Sequence, residues 1–155
     1  MSLISCHIDI LLDDPSWKKI EYETLIQITI DQCRQHLDIA DTDHELSVLL
    51  CDDARIQVLN RDYRLKDKPT NVLSFPQDDP IMLGDIVVSY ETVAREAQNH
   101  NKTLVHHFQH MVVHSLLHLL GYDHMDEEDA LEMEQLEVEI LAKLHIENPY
   151  EEIGC

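Results

Sequence analysis

Short stretches in which apolar and polar residues alternate predict the strands of this chain. Residues 3–12 (LISCHIDILL) alternate in part and are rich in isoleucine and leucine, which is typical of a β-strand. The same reasoning predicts strands at 45–51, at 72–75, where Pro76 ends the run, and at 84–89. The chain is therefore expected to contain about four strands.

Apolar residues that recur every three or four positions predict the helices. The first helix is expected to begin with Ser16 as its N-cap and to reach residue 37 or so. Further helices are predicted at 53–60, 89–100, 103–120 and from the acidic cluster 126–129 onward. The polar segment 61–71 contains a proline and is predicted to be a loop.

The order of these elements indicates the fold class. Strands and helices interleave without a strict βαβ repeat, which predicts an α+β fold with one small mixed sheet of about four strands covered by about five helices. A length of 155 residues suits a single domain, 1–155. No run approaches about 18 continuous apolar residues, so no membrane-spanning helix is expected.

Composition narrows the compartment and the partners. The four cysteines are scattered and form no C-x-x-C pair, which favours a reduced, cytoplasmic protein. The formal net charge of −20 opposes nonspecific binding to nucleic acid. Segment 61–68 is more basic than the rest of the chain, because four of the 11 basic residues fall within these eight positions: Arg61, Arg64, Lys66 and Lys68. This segment is either a solvated loop or a local patch for nucleic acid.

The stretch HSLLHLLGYDH, residues 114–124, has the spacing of a metal site. His114 and His118 lie four apart on a predicted helix, so their Cβ atoms are about 6 Å apart on one face. Gly121 can adopt positive φ, end the helix and let the chain bring His124 back to the same face. Three imidazoles leave one tetrahedral position open, the pattern of a catalytic zinc site. Imidazole also suits other divalent metals, and zinc is the default.

His110 adds a further histidine to the same predicted helix face. It lies about 12 Å from His118 along the helix axis, so these two side chains cannot share one ion bound at about 2 Å. His110 and His114 could share an ion, but they would lack an obvious third ligand, so the set His114, His118 and His124 is preferred. His110 is interpreted as a residue that supports the ligands, or that belongs to the surface or the core.

Ser115 stands at the position where zinc proteases of the H-E-x-x-H type carry their glutamate base. A serine hydroxyl is a poor base, which disfavours peptide hydrolysis. Zinc lowers the pKa of a bound water from about 15.7 to about 7, so a zinc-bound water is an expected catalytic group. A phosphodiester suits such a site, because its anionic oxygens bind zinc and a guanidinium can balance the charge that develops.

Three strings together resemble the YbeY family of bacterial endoribonucleases: LNRDYRLKDKPTNVLSFP (59–76), LGDIVVS (83–89) and HMVVHSLLHLLGYDH (110–124). MEQLEVEIL (133–141) and the following ENPY are also similar to the family. The resemblance implies a zinc-dependent, single-strand-specific endoribonuclease. It further implies a role in maturing ribosomal RNA, notably the 3′ end of the small-subunit RNA, and in ribosome quality control. The implied partners are single-stranded RNA, the small ribosomal subunit and its assembly proteins.

The resemblance also assigns roles to residues of this chain. The zinc ligands of the family fall on His114, His118 and His124. Its functionally important arginine falls on Arg64, which is expected to bind phosphate or to stabilise the transition state, since a guanidinium suits bidentate phosphate recognition. The alternative is a loop arginine paired with Asp62 or Asp67. The family usually has glycine at the position of Ser115, so no glutamate base is expected there.

Carboxylates near these motifs are weaker candidates. Asp123 adjoins a predicted ligand and could orient an imidazole N–H, and Asp85 is a candidate for the same role. The alternative for each is a turn or capping residue. The acidic residues of the last helix are interpreted as a solvated face: 126–129, Glu132, Glu134, Glu137 and Glu139.

Two other functions stay open. A metalloprotease-like hydrolase would use the same histidines, and Ser115 disfavours it. A non-enzymatic ribosome-assembly factor would hold a structural zinc, but such sites usually have four protein ligands and the sequence indicates three.

Overall fold

The structure is a computed structural model that describes residues 6–123 and 126–150. Its strands are β1 (Cys6–Leu12), β2 (His44–Cys51), β3 (Val72–Pro76) and β4 (Met82–Ser89). Its α-helices are α1 (Tyr22–His36), α2 (Asp53–Arg64), α3 (Tyr90–Asn99), α4 (Leu104–Leu119) and α5 (Glu127–Lys143). These elements confirm the α+β fold with a four-stranded mixed sheet. Residues 3–5 of the first predicted strand lie outside the described ranges.

The strands form one sheet in the order β1-β2-β4-β3. β2 pairs in parallel with both β1 and β4, whereas β3 is antiparallel to β4. The β3–β4 register places Val72 opposite Val88 and Pro76 opposite Gly84. β3 is therefore an edge strand, where a proline does not remove a ladder hydrogen bond from the interior of the sheet.

Helices cover both faces of the sheet. The larger core lies between the sheet and helices α1, α3, α4 and α5, and its fully buried side chains include Trp17, Ile26, Ile86, Phe108, Leu116 and Ile140. A smaller cluster packs α2 against the other face: Cys51, Ile56, Leu73 and Val87. Within the parts of the chain described here, no helix is long and apolar enough to cross a membrane.

The prediction of where the first helix begins is wrong. Pro15–Lys19 form a short 3₁₀-helix, and α1 starts only at Tyr22. Asp14 rather than Ser16 is the cap, since its carboxylate accepts a hydrogen bond from the Ser16 N–H at 2.9 Å. Trp17 is fully buried in the larger core. Because the Trp17 ring is buried, the segment Pro15–Lys19 does not continue along the axis of α1. The local pattern of apolar residues does not contain this information.

α2 extends beyond its predicted end near Asn60 and includes Arg64 in its last turn. Leu65 then adopts a left-handed backbone with φ 60°, and its N–H donates to the Arg61 carbonyl at 3.2 Å. The predicted loop therefore begins four residues later than expected. Arg64 consequently lies on a regular element that fixes its backbone position.

α4 begins and ends within one residue of its predicted limits. At its start, the Thr103 hydroxyl accepts a hydrogen bond from the His106 N–H at 3.1 Å. At its end, the N–H of Gly121 donates to the His118 carbonyl and that of Tyr122 to the Leu117 carbonyl, both at 3.0 Å. This pair of bonds is a Schellman motif, which requires the positive φ of 101° at Gly121.

Gly84 sits where β4, β3 and the end of α4 approach closely. Its φ is 139°, and a Cβ there would lie 2.2 Å from the Phe75 carbonyl oxygen and 3.0 Å from Leu119 Cδ2. Gly84→Ala is expected to lower the free energy of unfolding by about 3 kcal/mol, because backbone strain adds to an unrelieved clash. Urea denaturation measures this loss.

Gly121→Ala is the matched control for that substitution. Gly121 also has positive φ, but an added Cβ would meet nothing within 4 Å. Its expected cost is the backbone strain alone, about 1 to 2 kcal/mol. Equal losses in the two variants would show that the contact with the Phe75 carbonyl does not decide the cost at Gly84.

Candidate metal centre and cleft

The C-terminal half of α4 brings two of the predicted metal ligands together. The Nε2 atoms of His114 and His118 lie 3.1 Å apart. Two nitrogens bound tetrahedrally to one zinc ion at about 2.0–2.1 Å are about 3.3 Å apart, so this separation fits a shared ion. The pair follows directly from the spacing of four on a helix.

The third predicted ligand, His124, lies outside the described residues. Within 6–123 and 126–150, no group of three or more histidine, cysteine or acidic side chains is arranged to hold a metal ion. The described part of the site therefore contains two members of the predicted ligand set.

Glu137 on α5 contacts the back of this histidine pair. Its side chain is fully buried, and its Oε1 lies 2.9 Å from His114 Nδ1 and 3.2 Å from His110 Nε2. The Tyr150 hydroxyl donates to the other carboxylate oxygen, Oε2. An ionised carboxylate only accepts hydrogen bonds, so the contact fits a neutral His114 ring with its hydrogen on Nδ1, the tautomer that offers Nε2 to a metal.

The environment of Glu137 keeps the carboxylate ionised. Burial alone would raise the pKa of the Glu137 carboxyl, but hydrogen bonds from His110 and His114, the nearby His110 ring and the Tyr150 hydroxyl together lower it to about 2. Conversely, burial and the bond to Glu137 raise the pKa of the Tyr150 hydroxyl. The group that faces the two histidines is therefore a permanent acceptor at neutral pH.

A cleft of about 410 Å³ opens in front of the histidine pair. One wall is the end of α4 with the turn that follows it, and the other is the edge strand β3. The lining includes Arg64, Ser74, His114, His118, Leu119 and Asp123. The cleft therefore unites the histidine pair with the predicted arginine, which is distant in sequence.

Arg64 is exposed and bound to the edge strand. Its Nη2 donates to the Ser74 carbonyl at 2.7 Å, and its guanidinium carbon lies 5.9 Å from the centre of the Phe75 ring. The carboxylates considered as its alternative partners have other contacts: Asp62 pairs with Arg61 at 3.0 Å, and Asp67 accepts from Gln57 at 3.0 Å. These contacts favour a role in the cleft over a surface ion pair.

Comparison with known proteins identifies the family of this chain. A model of the endoribonuclease YbeY family matches residues 8–145. The chain belongs to the endoribonuclease YbeY family. A relative of that name from Paramagnetospirillum magneticum is 53% identical over 126 residues, which cover 75% of this chain and 77% of the relative. Another from Rhodopseudomonas palustris is 42% identical over 160 residues, which cover 97% of this chain and 93% of the relative.

A solved structure supports the fold of this YbeY family member. The solution structure of TM1509 from Thermotoga maritima is similar with a TM-score of 0.59 and 26% identity. The similarity covers 89% of this chain and 91% of the other. The expected resemblance to the YbeY family is confirmed.

The two weaker carboxylate candidates lie in different places. Asp123 is exposed on the lining of the cleft, beside the histidine pair. Asp85 lies in β4 between Gly84 and Ile86, and Ile86 belongs to the core that α4 covers. Since side chains alternate along a strand, Asp85 faces the other side of the sheet, where the Ser47 hydroxyl donates to it. The structure does not bring Asp85 to the histidines.

Glu137 was interpreted from the sequence as part of a solvated acidic face, and that interpretation is wrong. The side chain is 0% exposed. The sequence contains an indication of this burial. Glu137 lies four residues after Met133 and three before Ile140, and both of these are fully buried residues of the apolar stripe of α5. An acidic residue in the middle of an apolar stripe indicates a buried carboxylate with partners.

Ser115 points into the protein rather than toward the cleft. It is fully buried, and its hydroxyl oxygen has no hydrogen-bond partner among the residues that the structure describes. A side chain so placed cannot reach a substrate bound beside His114. The position that holds the base in zinc proteases is therefore filled here by a small core residue.

Proposed function

We propose that the chain is a zinc-dependent endoribonuclease that cleaves single-stranded RNA. Family membership supports RNA as the substrate, since the relatives are named endoribonucleases. The observation that carries the proposal is the cleft in which Arg64 lies with His114 and His118. Cleavage of a phosphodiester increases the negative charge on its oxygens, and a cation beside a metal site meets that need.

His114 and His118, with His124 from the sequence, would hold the metal ion. Zinc fits their separation and chemistry, and other divalent metals that prefer imidazole would use the same ligands. When bound, zinc supplies Lewis-acid polarisation of a phosphoryl oxygen and activation of water near neutral pH. Glu137 supports this role by keeping the hydrogen of His114 on Nδ1.

Arg64 would bind the phosphate that is cleaved and neutralise its developing charge. A guanidinium presents five N–H donors in a planar fork and stays protonated at any physiological pH. In Arg64, Nη2 donates a hydrogen bond to the Ser74 carbonyl on the edge strand. That bond orients the fork beside the histidines and supports recognition of two phosphate oxygens.

An exposed aromatic ring next to Arg64 supports a preference for single strands. The Tyr63 side chain is 68% exposed, and its ring meets the Phe75 ring edge-on with centroids 5.4 Å apart. Aromatic side chains stack on bases that are not paired, whereas bases inside a duplex are covered by their neighbours. A base adjacent to the bound phosphate would stack on Tyr63.

We further propose that the substrate is ribosomal RNA. The resemblance of the motifs implies maturation of the 3′ end of small-subunit RNA and ribosome quality control, carried out in the cytoplasm by one domain, 1–155. The small ribosomal subunit and its assembly proteins would be the partners. A net charge of −20 supports a role for such partners, because basic ribosomal proteins would offset the repulsion between this chain and RNA.

A metalloprotease-like hydrolase is the second candidate, and one observation favours it. β3 is an edge strand beside the cleft, and extended peptides bind by adding to such edges. However, the Ser74 carbonyl already accepts from Arg64, and Pro76 has no N–H to offer a peptide. Ser115 provides no base, so the peptide would find fewer backbone partners on β3 and no proton acceptor at that position.

Incubating the zinc-loaded protein with single-stranded RNA, duplex RNA and casein tests the proposal. We expect cleavage of single-stranded RNA, little cleavage of the duplex and none of casein, as followed on gels. Proteolysis of casein would support the second candidate instead. Bound zinc without any cleavage, also in the presence of small ribosomal subunits, would favour a non-enzymatic assembly factor.

A further inference from the structure

Glu137 is a buried carboxylate with an unusual set of partners. It is 0% exposed, yet its ion-pair partners among the described residues are histidines rather than lysine or arginine. Three donors converge on it: His114 Nδ1, His110 Nε2 and the Tyr150 hydroxyl. A buried carboxylate is costly unless its oxygens accept such bonds, so the burial of Glu137 depends on these three donors.

The bond to His114 reaches the ring atom opposite the one that faces the proposed metal. Glu137 Oε1 lies 2.9 Å from Nδ1, and Nε2 faces His118 Nε2 at 3.1 Å. A carboxylate on Nδ1 selects one tautomer, fixes the plane of the ring and makes Nε2 more basic. All three effects improve an imidazole as a metal ligand.

Tyr150 and the two histidines contact different oxygens of the Glu137 carboxylate. Tyr150 occupies Oε2, which leaves Oε1 for His110 and His114. The Tyr150 ring also packs edge-on against the His110 ring with centroids 5.8 Å apart. The segment that carries Tyr150 is held in place by buried Ile146 and by a bond from Lys102 Nζ to the Pro149 carbonyl at 3.4 Å.

We propose that Glu137 is a positioning residue for His114 and that Tyr150 sets its orientation. The segment 146–150 thereby tunes the affinity of the metal centre, although none of its residues lines the cleft beside the histidines. This inference rests on the proposed metal centre and concerns the side of it that faces the protein interior. A purely structural role would affect the stability of the fold and leave metal affinity unchanged.

The zinc affinity of the folded chain tests the inference, measured by competition with a chromophoric chelator and without RNA. Glu137→Gln preserves the shape of the side chain and removes its charge, and we expect about 10- to 100-fold weaker binding. Glu128→Gln makes the same chemical change at an exposed position of α5 and should leave the affinity unchanged. Equal affinities of wild type and Glu137→Gln would overturn the inference.

Tyr150→Phe removes one hydroxyl and keeps the ring, so this variant tests the inference even if Glu137→Gln fails to fold. We expect about tenfold weaker zinc binding, the lower end of the effect of losing a partner behind a ligand. A melting temperature measured in metal-free protein separates this effect from stability. Lower stability with unchanged zinc affinity would assign Tyr150 a structural role and contradict the proposal.

The tautomer of His114 provides a spectroscopic test. In long-range ¹H–¹⁵N spectra of metal-free wild-type protein, the His114 ring should carry its hydrogen on Nδ1, with the signal assigned by its absence from His114→Ala. A hydrogen on Nε2 would overturn the inference. Failure of wild-type protein to bind zinc at all would instead remove the proposed metal centre, so the two ideas fail in different ways.

Discussion

Replacing Arg64 with glutamate is expected to abolish cleavage of single-stranded RNA while zinc stays bound. The substitution places a negative charge where the cleft would receive a phosphate, and it removes a cation of the kind that contributes about 10³- to 10⁵-fold to phosphoryl transfer. The backbone of residue 64 should keep its place, since it lies in the last turn of α2. Cleavage rates together with metal content, measured on the same preparation, check both parts of this prediction.

Arg61→Glu is the matched control. Arg61 lies one turn earlier on α2, pairs with Asp62 at 3.0 Å and is not part of the cleft lining. It changes the net charge by the same amount, so a general electrostatic effect would appear equally in both variants. Wild-type rates in Arg64→Glu, or equal losses in the two variants, would end the idea that Arg64 contacts the substrate.

Replacing His114 with alanine is expected to remove both the zinc and the activity. The variant lacks one ligand and also leaves Glu137 without its closest histidine partner. A metal ion supplies several kcal/mol of charge stabilisation in a transition state, so cleavage should fall on the order of a thousandfold or more. Stability should also fall by about 1 to 3 kcal/mol, because a buried acceptor loses a donor.

His106→Ala controls for the loss of a histidine from α4. His106 is exposed in the first turn of the same helix, far from the cleft, and should tolerate the change. Zinc content and RNA cleavage of the two variants, purified in parallel, give the comparison. Activity that survives in His114→Ala would point to a copurifying nuclease and favour the non-enzymatic assembly factor.

The parts of the fold that could be predicted depend on contacts between neighbours in sequence. The limits of α4 follow from Thr103, whose hydroxyl caps the helix start, and from Gly121, whose positive φ ends it. The histidine pair follows from a spacing of four, which helix geometry converts into proximity. In each case the residue type and its immediate neighbours contain the physical cause.

The parts that escaped prediction depend on contacts between distant segments. Trp17 packs on Phe108 with ring centroids 4.8 Å apart, and this contact breaks the helix that periodicity predicts. Glu137 meets His114 across 23 positions, so its burial depends on how α5 crosses α4. The bond from Arg64 to the Ser74 carbonyl likewise needs β3 beside the end of α2. Of these three contacts, only that of Glu137 is indicated by the local sequence, because this acidic residue interrupts the apolar stripe of α5.

The hydrogen bond from Tyr150 to Glu137 gives the metal centre an order of assembly. The hydroxyl comes from a residue 13 positions after the carboxylate, beyond the end of α5. A ribosome makes the chain from its N-terminus, so the histidine pair and Glu137 exist before Tyr150 is added. In the proposed arrangement the centre gains its full affinity for metal last. An activity that cuts RNA would thus stay weaker until Tyr150 has been made and has joined the folded domain.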